Sequence, residues 1–361
     1  MAPPSIPDTA LAGPAPALRA ALAEPLHRPL APRQWVALAL GAVAVLGFPW
    51  VFGGPYWMHM AIILLLNALM AQSWNILAGY CGQISLGHAV FFGIGAYASG
   101  YLFATYGISP WLGMGVGVVL AMAVAAGIGI PTLRLRGHYF AIATLVIGES
   151  AQIIVLRWEA LGAASGIWLP IVRDTPWLDF QFNTTKVPYY YIVLGMLVAC
   201  SAAVWHLDRS RMGYYFRAIR EDAEAASSLG VDVSRYKVQA FMLSAAFMAM
   251  AGTFNTQYVL LIDPEADLSI LRSILVVLVA VVGGVGTVWG PIVGAALLVP
   301  MSEATRVYFG GTGGTVDLMI YGALIVLVCI FRPEGIVGLA RHWVRPTVQE
   351  QAPGPEEQRN G

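Results

Sequence analysis

The sequence predicts an all-α, polytopic membrane protein with about ten transmembrane helices and a cytoplasmic helix suited to coupling with a partner. Three observations predict it. Hydrophobic residues make up 58% of the 361 positions and charged residues only 11%, whereas a soluble domain carries about 25% charge. About ten stretches approach the roughly 20 apolar residues that cross 30 Å of hydrocarbon as a helix. Basic residues gather in a few short connections instead of spreading along the chain. Twenty basic and twenty acidic residues balance, which gives no basic face for nucleic acid and no acidic tail.

Residues 1–33 contain Pro3, Pro4, Pro7, Pro14, Pro16, Pro25, Pro29 and Pro32 among many alanines. Prolines at that density interrupt a helix, so a disordered cytoplasmic tail is expected. It lacks the basic start, apolar run and small-residue cleavage site of a secretory signal and is expected to be retained. The transmembrane domain follows over 34–340, and 341–361 form a second disordered cytoplasmic tail.

The first five spans are placed near Trp35 to Phe52, Tyr56 to Ala78, Ile84 to Thr105, Trp111 to Ile130 and His138 to Leu156. The rest run near Pro188 to Leu207, Val238 to Ile262, Ile270 to Val282, Trp289 to Tyr308 and Asp317 to Phe331. The eighth is short for a crossing, which surrounding protein can tolerate. Lys and Arg beside short loops mark the cytoplasmic side. Arg19, Arg28 and Arg33 put the N-terminus inside; Arg134 and Arg136 do the same for the fourth-to-fifth connection, and Arg332, Arg341 and Arg345 for the C-terminus. The 208–237 connection holds Arg209, Arg211, Arg217, Arg220, Arg235 and Lys237, the largest basic cluster, and also belongs inside. Asp263, Glu265 and Asp267 form an acidic loop on the opposite side, with Arg272 nearby. Every parity agrees with ten spans, and two sets of five would run in opposite directions, an arrangement common in transporters, but the Gly-rich stretches Gly79 to Gly95 and Gly283 to Gly294 do not fall at matching span positions. Cys81, Cys200 and Cys329 stand far apart and read as small apolar fillers, not as a disulfide framework or metal site.

Between the sixth and seventh spans, Met212 to Gly230 (MGYYFRAIREDAEAASSLG) reads as one amphipathic helix. Met212, Phe216, Ile219, Ala223, Ala226 and Leu229 fall in three- and four-residue steps, giving one apolar stripe. Arg217 with Glu221, and Arg220 with Glu224, stand four apart on the polar side, and Gly230 suits a C-cap. The helix either lies at the lipid surface or docks a cytoplasmic partner, since adjacent Ala225 and Ala226 allow another surface to come close.

Glu224, Ala225, Ala226 and, after three further residues, Gly230 resemble the EAA loop of ABC importers. In that family the short helix sits in a cleft of the ATP-hydrolysing subunit and transmits ATP-driven closure. The resemblance implies that Arg220, Glu224, Ala225, Ala226 and Gly230 couple this chain to an ATPase. Gly79 to Gly95 (GYCGQISLGHAVFFGIG) resembles the signature of branched-chain amino acid permeases of the LivM and LivH type. Arg136 to Glu149 (RGHYFAIATLVIGE), Gly283 to Ala295 (GGVGTVWGPIVGA) and Phe331 to Gly335 (FRPEG) are similar to LivM-type sequences, so the likeness runs from about Asn67 to Leu339. The chain departs from the family after the fifth span, where a Thr-Gly-Gly run ending in Asn-Gly is frequent. Here the residues are Leu161, Gly162, Ala163, Ala164, Ser165 and Gly166, which loosens the substrate assignment.

The resemblance implies a permease in the bacterial inner membrane, partnered by a homologous LivH-like permease, two ABC ATPase subunits and an extracytoplasmic solute-binding protein. ATP is then used by the partners, and this chain binds no cofactor. Its own lysines agree: a phosphate-binding loop needs Gly-Lys followed by Ser or Thr, and neither Lys186 nor Lys237 follows a glycine. Glycine pairs such as Gly93 with Gly95 and Gly284 with Gly286 occur in apolar spans and read as close helix packing or backbone breaks.

Candidate residues of a translocation path are Asn75, Gln83, Ser85, His88 and Glu149. The first four cluster at the second-to-third turn, where glycines can break the helix and expose backbone groups to a cavity; bonding between helices is the alternative. His88 has no paired carboxylate or second histidine close by in sequence. Glu149 lies about 16 Å into the fifth span at 1.5 Å per residue, near the bilayer centre. A carboxylate there is costly against lipid and is expected to face the protein interior, either bonding a neighbouring helix or contributing to the path. Thr253, Asn255, Thr256 and Gln257 line an outward mouth or bond other helices; Glu303 and Arg306 are spaced to pair locally. Two rival functions stay open. One is a permease of the same superfamily for urea, short amides or aromatic acids, and the other is an ion-coupled secondary transporter. A membrane enzyme finds no nucleophile, metal set or acid pair.

Overall fold

A computed structural model describes residues 32–135, 137–172, 176–182 and 185–309, with short stretches at 319, 322–323 and 335–337. The N-terminal tail to residue 31, Arg136, nearly all of the tenth span at Asp317 to Phe331 and the C-terminal arginines and tail lie outside the described residues. The division into two sets of five depends on that tenth span. Helix α1 (Pro32–Val51) forms a unit by itself.

From residue 54 onward, helix follows helix. The order is α2 (Pro55–Asn75) continued by a π turn (Ile76–Tyr80), α3 (Ala89–Tyr106), α4 (Pro110–Thr132), α5 (His138–Arg157) and α6 (Val187–Arg209). Then come α7 (Arg211–Glu221), α8 (Ala223–Ser228), α9 (Val233–Val259), α10 (Pro264–Asp267), α11 (Ile270–Gly283) and α12 (Gly290–Phe309). A helix coincides with each of the first nine predicted spans. Among the described residues, five segments are long and apolar enough to cross a membrane by length and composition: Pro55–Tyr80, Pro110–Thr132, His138–Arg157, Val187–Arg209 and Val233–Val259.

The third span begins five residues later than its hydropathy suggests, because 82–87 are not helical. Gly82 adopts φ +72, a left-handed conformation that costs glycine little. The backbone groups released there find partners from neighbouring helices, as an apolar surround requires. Trp74 Nε1 donates to the Ser85 carbonyl at 2.8 Å, Leu86 N donates to Thr144 Oγ at 3.1 Å, and Ala89 N donates to Ser273 Oγ at 2.9 Å. The seventh span ends early as well: Leu260 turns to φ +62, and Leu261–Ile262 leaves the helix to pair as an antiparallel strand with Ile167–Trp168.

Helix α9 is the centre of the bundle and packs along α2, α3 and α4. Small residues permit its approach to α3. A Cβ on Gly252 would strike the Phe92 carbonyl, and one on Gly95 would strike the Ala249 backbone. Thr253 Oγ donates to the Gly95 carbonyl at 3.0 Å, so this member of the predicted outward patch bonds a neighbouring helix. Thr256, Asn255 and Gln257 are likewise buried.

At the end of the bundle bearing the acidic loop, Ala96, Tyr97, Phe103, Leu169, Ile262 and Leu268 form an apolar cluster under the two short strands. Phe180 lies 4.4 Å from Trp111 and 6.0 Å from both Tyr189 and Phe254, ring centre to ring centre. Asp263 caps α10 by accepting from Glu265 N at 2.9 Å, and Asp267 pairs with Arg272 at 3.0 Å. The Arg272 guanidinium also sits 4.3 Å above the Phe92 ring. Burial pushes the Asp267 carboxyl above its ordinary range, and the Arg272 charge opposes that shift.

Candidate functional site

The connection between α6 and α9 is two helices where the periodicity predicts one. Asp222 stands between them in extended conformation, and its carboxylate accepts from Glu224 N at 2.8 Å and Ala225 N at 3.0 Å. An aspartate competes with helical hydrogen bonding and favours the N-cap, which the uninterrupted apolar stripe concealed. The stripe itself is partly right. Phe216, Ile219 and Ala226 are buried, but Leu229 is 86% exposed.

Gly230 ends α8 as expected. Its φ is +85; Val231 N donates to the Ala226 carbonyl at 3.1 Å and Gly230 N to the Ser227 carbonyl at 2.9 Å, the paired bonds of a Schellman turn. Glu224 and Ala225 face outward, whereas Ala226 is buried in the loop. Of the two adjacent alanines, Ala225 is therefore the one open to the surroundings. Tyr215, Leu229, Arg235 and Tyr236 are among the residues lining a cleft of about 210 Å³ beside this turn.

The basic residues of α7 point elsewhere than their spacing suggests. Arg217 pairs with Asp208 at 3.1 Å, not with Glu221, and also donates to the Asp208 carbonyl. Arg220 turns toward the bundle: Nη1 donates to the Gly79 carbonyl at 2.7 Å, while Nη2 lies 3.7 Å from Glu221. Beside Gly79, the buried Asn75 accepts from Gly286 N at 2.8 Å and donates to the Thr287 carbonyl at 2.9 Å. Arg220 and Asn75 thus meet around one pair of glycines.

Ser85 and His88 lie fully buried inside the bundle. His88 Nε2 is 2.7 Å from Ser244 Oγ, and Ser244 and Ser73 exchange hydrogen bonds, each hydroxyl donating to the other's carbonyl at 2.6 and 2.7 Å. The Ser85 hydroxyl and His88 Nδ1 have no partner among the described residues. Gln83 is separate from them and half-buried, and among the described residues its amide bonds its neighbour Gly82 at 3.3 Å. Glu149 departs from expectation: it is half-exposed on a helix whose buried side is Phe140, Ala141, Thr144 and Gly148, and it has no hydrogen-bond or ion-pair partner among the described residues. Ser73, Ser244 and Ser273 went unnoticed in the sequence because lone serines in apolar runs are common; their only signal is polarity within a span. The side chain of Arg306, the predicted partner of Glu303, lies outside the described residues.

A family model described as branched-chain amino acid transport system, permease component, matches residues 56–329. The chain belongs to this family. The permease is 31% identical to the high-affinity branched-chain amino acid transport system permease protein LivM of Escherichia coli K12, over 84% of this chain and 75% of LivM. It is 26% identical to the corresponding protein LivH of Salmonella typhimurium, over 78% of this chain and 92% of LivH. A probable LivH permease of Methanocaldococcus jannaschii is 23% identical over 68% of the chain. No solved structure gives a significant match. The permease therefore carries the socket around Gly79 and the two-part loop on a branched-chain amino acid transport scaffold.

Proposed function

We propose that the permease is the membrane-spanning subunit of an ATP-driven importer that carries branched-chain amino acids into the cytoplasm. In this reading it sits in the bacterial inner membrane with both termini cytoplasmic. It works beside a homologous LivH-like permease, two ATPase subunits and an extracytoplasmic binding protein, and binds no cofactor itself. The likeness to both LivM and LivH supports a pair of homologous permeases.

The single observation that carries the reading is the 211–230 loop. It presents a short capped helix with Glu224 and Ala225 outward, followed by an exposed Leu229, next to the basic cluster that predicts the cytoplasmic side. An exposed leucine at the tip of a polar connection gains by burial, at about 25 cal/mol per Å² of apolar surface. A docking ATPase supplies that burial. Glu149, half-exposed near the centre of α5, is the candidate we place on the path shared with the second permease, since a lone carboxylate facing hydrocarbon costs several kcal/mol. Asn75 is occupied in holding a loop and is the weaker path candidate.

The test is solute uptake by membrane vesicles containing the full complex. Wild type is expected to accumulate leucine, isoleucine or valine only with internal ATP. Ala225→Trp is expected to lower uptake about tenfold, the cost of losing roughly 1.4 kcal/mol of docking, without reducing the amount of folded permease. Ala226 is unsuitable because its burial would confound folding with docking. Unaltered uptake and ATPase retention in Ala225→Trp would overturn the reading. So would accumulation driven by an ion gradient without nucleotide, and preference for urea, amides or aromatic acids would reassign the solute.

A further inference from the structure

Arg220 occupies a socket walled by glycine backbone and by the Asn75 side chain. Its Nη1 meets the Gly79 carbonyl at 2.7 Å, and Gly79 lies in the π turn that ends α2. The last carbonyls of a helix lack partners and carry the negative end of the helix dipole, so a cation is favoured there. Glycines form the walls. A Cβ on Gly82 would lie 2.8 Å from Arg220 Cγ, one on Gly286 would lie 2.6 Å from Arg220 Nη1, and one on Gly79 would lie 2.6 Å from Gly286 N. Contacts under 3 Å essentially never occur for real Cβ atoms, so Gly82 and Gly286 leave room for the arginine, and Gly79 leaves room for the Asn75 side chain and the Gly286 backbone.

Three backbone breaks converge on that side chain: the π turn after α2, the non-helical 82–87 segment before α3, and the 284–289 connection between α11 and α12. Asn75 holds the third against the first through its two bonds to Gly286 and Thr287. The arginine belongs to α7, and α8 follows at once through the Asp222 cap. Its side chain is 42% exposed, so the link is anchored at one end and reachable from the loop at the other.

We infer that Arg220 is the positioning residue through which movement of the α7–α8 loop reaches the helix breaks of the membrane domain, and not a contact to the ATPase. The inference rests on the proposed ATP-driven reading. A displacement of α8 shifts α7 with it, and the guanidinium then pulls or releases the end of α2 and the Asn75-held loop together. Lysine reaches a single carbonyl as a point charge but cannot fork between groups, so it should restore part of the link.

The experiment uses the complete complex in proteoliposomes, with ATP hydrolysis and solute uptake measured in parallel for wild type, Arg220→Ala and Arg220→Lys. A hydrogen bond to a charged group corresponds to roughly a tenfold effect or more. Arg220→Ala should keep the ATPase subunits bound and ATP hydrolysis near wild type, while solute moved per ATP falls about tenfold. Arg220→Lys should recover a clear part of that ratio. A wild-type ratio in Arg220→Ala overturns the inference. Loss of the ATPase subunits or of folded permease in Arg220→Ala, without recovery in Arg220→Lys, also overturns it and makes Arg220 a docking or structural residue. Wild-type uptake without ATP removes the underlying function as well, which separates the two failures.

Discussion

The two ends of the bundle are built by different means. At the end with the acidic loop, two short strands, an aromatic group around Phe180 and Tyr189, and the Asp267–Arg272 pair close over an apolar cluster. At the end with the basic loop, α7 and α8 are attached through directional bonds: Arg220 to Gly79, Arg217 to Asp208, and the Asp222 and Gly230 caps. Packed apolar surface resists displacement in every direction. Hydrogen bonds add a preferred direction to the packing that accompanies them. The contrast teaches that the acidic end is closed mainly by packing, whereas the basic end adds bonds of fixed direction to the buried Phe216, Ile219 and Ala226.

Substitutions can break or sharpen that contrast. The largest effect should come from Gly252→Leu at the α3–α9 crossing, where even a Cβ meets the Phe92 carbonyl. A loss of at least about 3 kcal/mol is expected, read as a collapse in folded yield and thermal midpoint in detergent. Next is Asp267→Ala, which leaves Arg272 without its carboxylate. Removing one partner of a buried pair costs about 3 kcal/mol, and melting should fall while ATPase binding is retained. If Asp267→Ala abolished ATPase binding and left melting unchanged, the contrast would be wrong. The smallest global effect belongs to Asp222→Ala. Losing an N-cap costs about 1 kcal/mol, seen as faster amide exchange at Glu224 and Ala225 with melting nearly unchanged.

The sequence made the helices of the first nine spans legible because hydropathy and basic loops each constrain them, and Gly230 because a helix end and a glycine coincide. What it hid was contact over long separation. The Arg220–Gly79 bond joins residues 141 apart and the Asn75–Thr287 bond residues 212 apart, and no local pattern encodes either. Local rules failed in one place for another reason. Asp222 looked like one more polar position on a helix face, yet its carboxylate serves backbone amides and divides the helix. The exposure of Glu149 was hidden because span length places a residue in depth but not around the helix circumference.

The serine exchange between α2 and α9 also fixes where a hydrogen sits. The Ser244 hydroxyl has one proton, and it is committed to the Ser73 carbonyl. With that proton so placed, the bond between His88 and Ser244 runs from Nε2–H, so a neutral His88 is the Nε2–H tautomer. Through these contacts the start of α3 is keyed to α2 and α9 together.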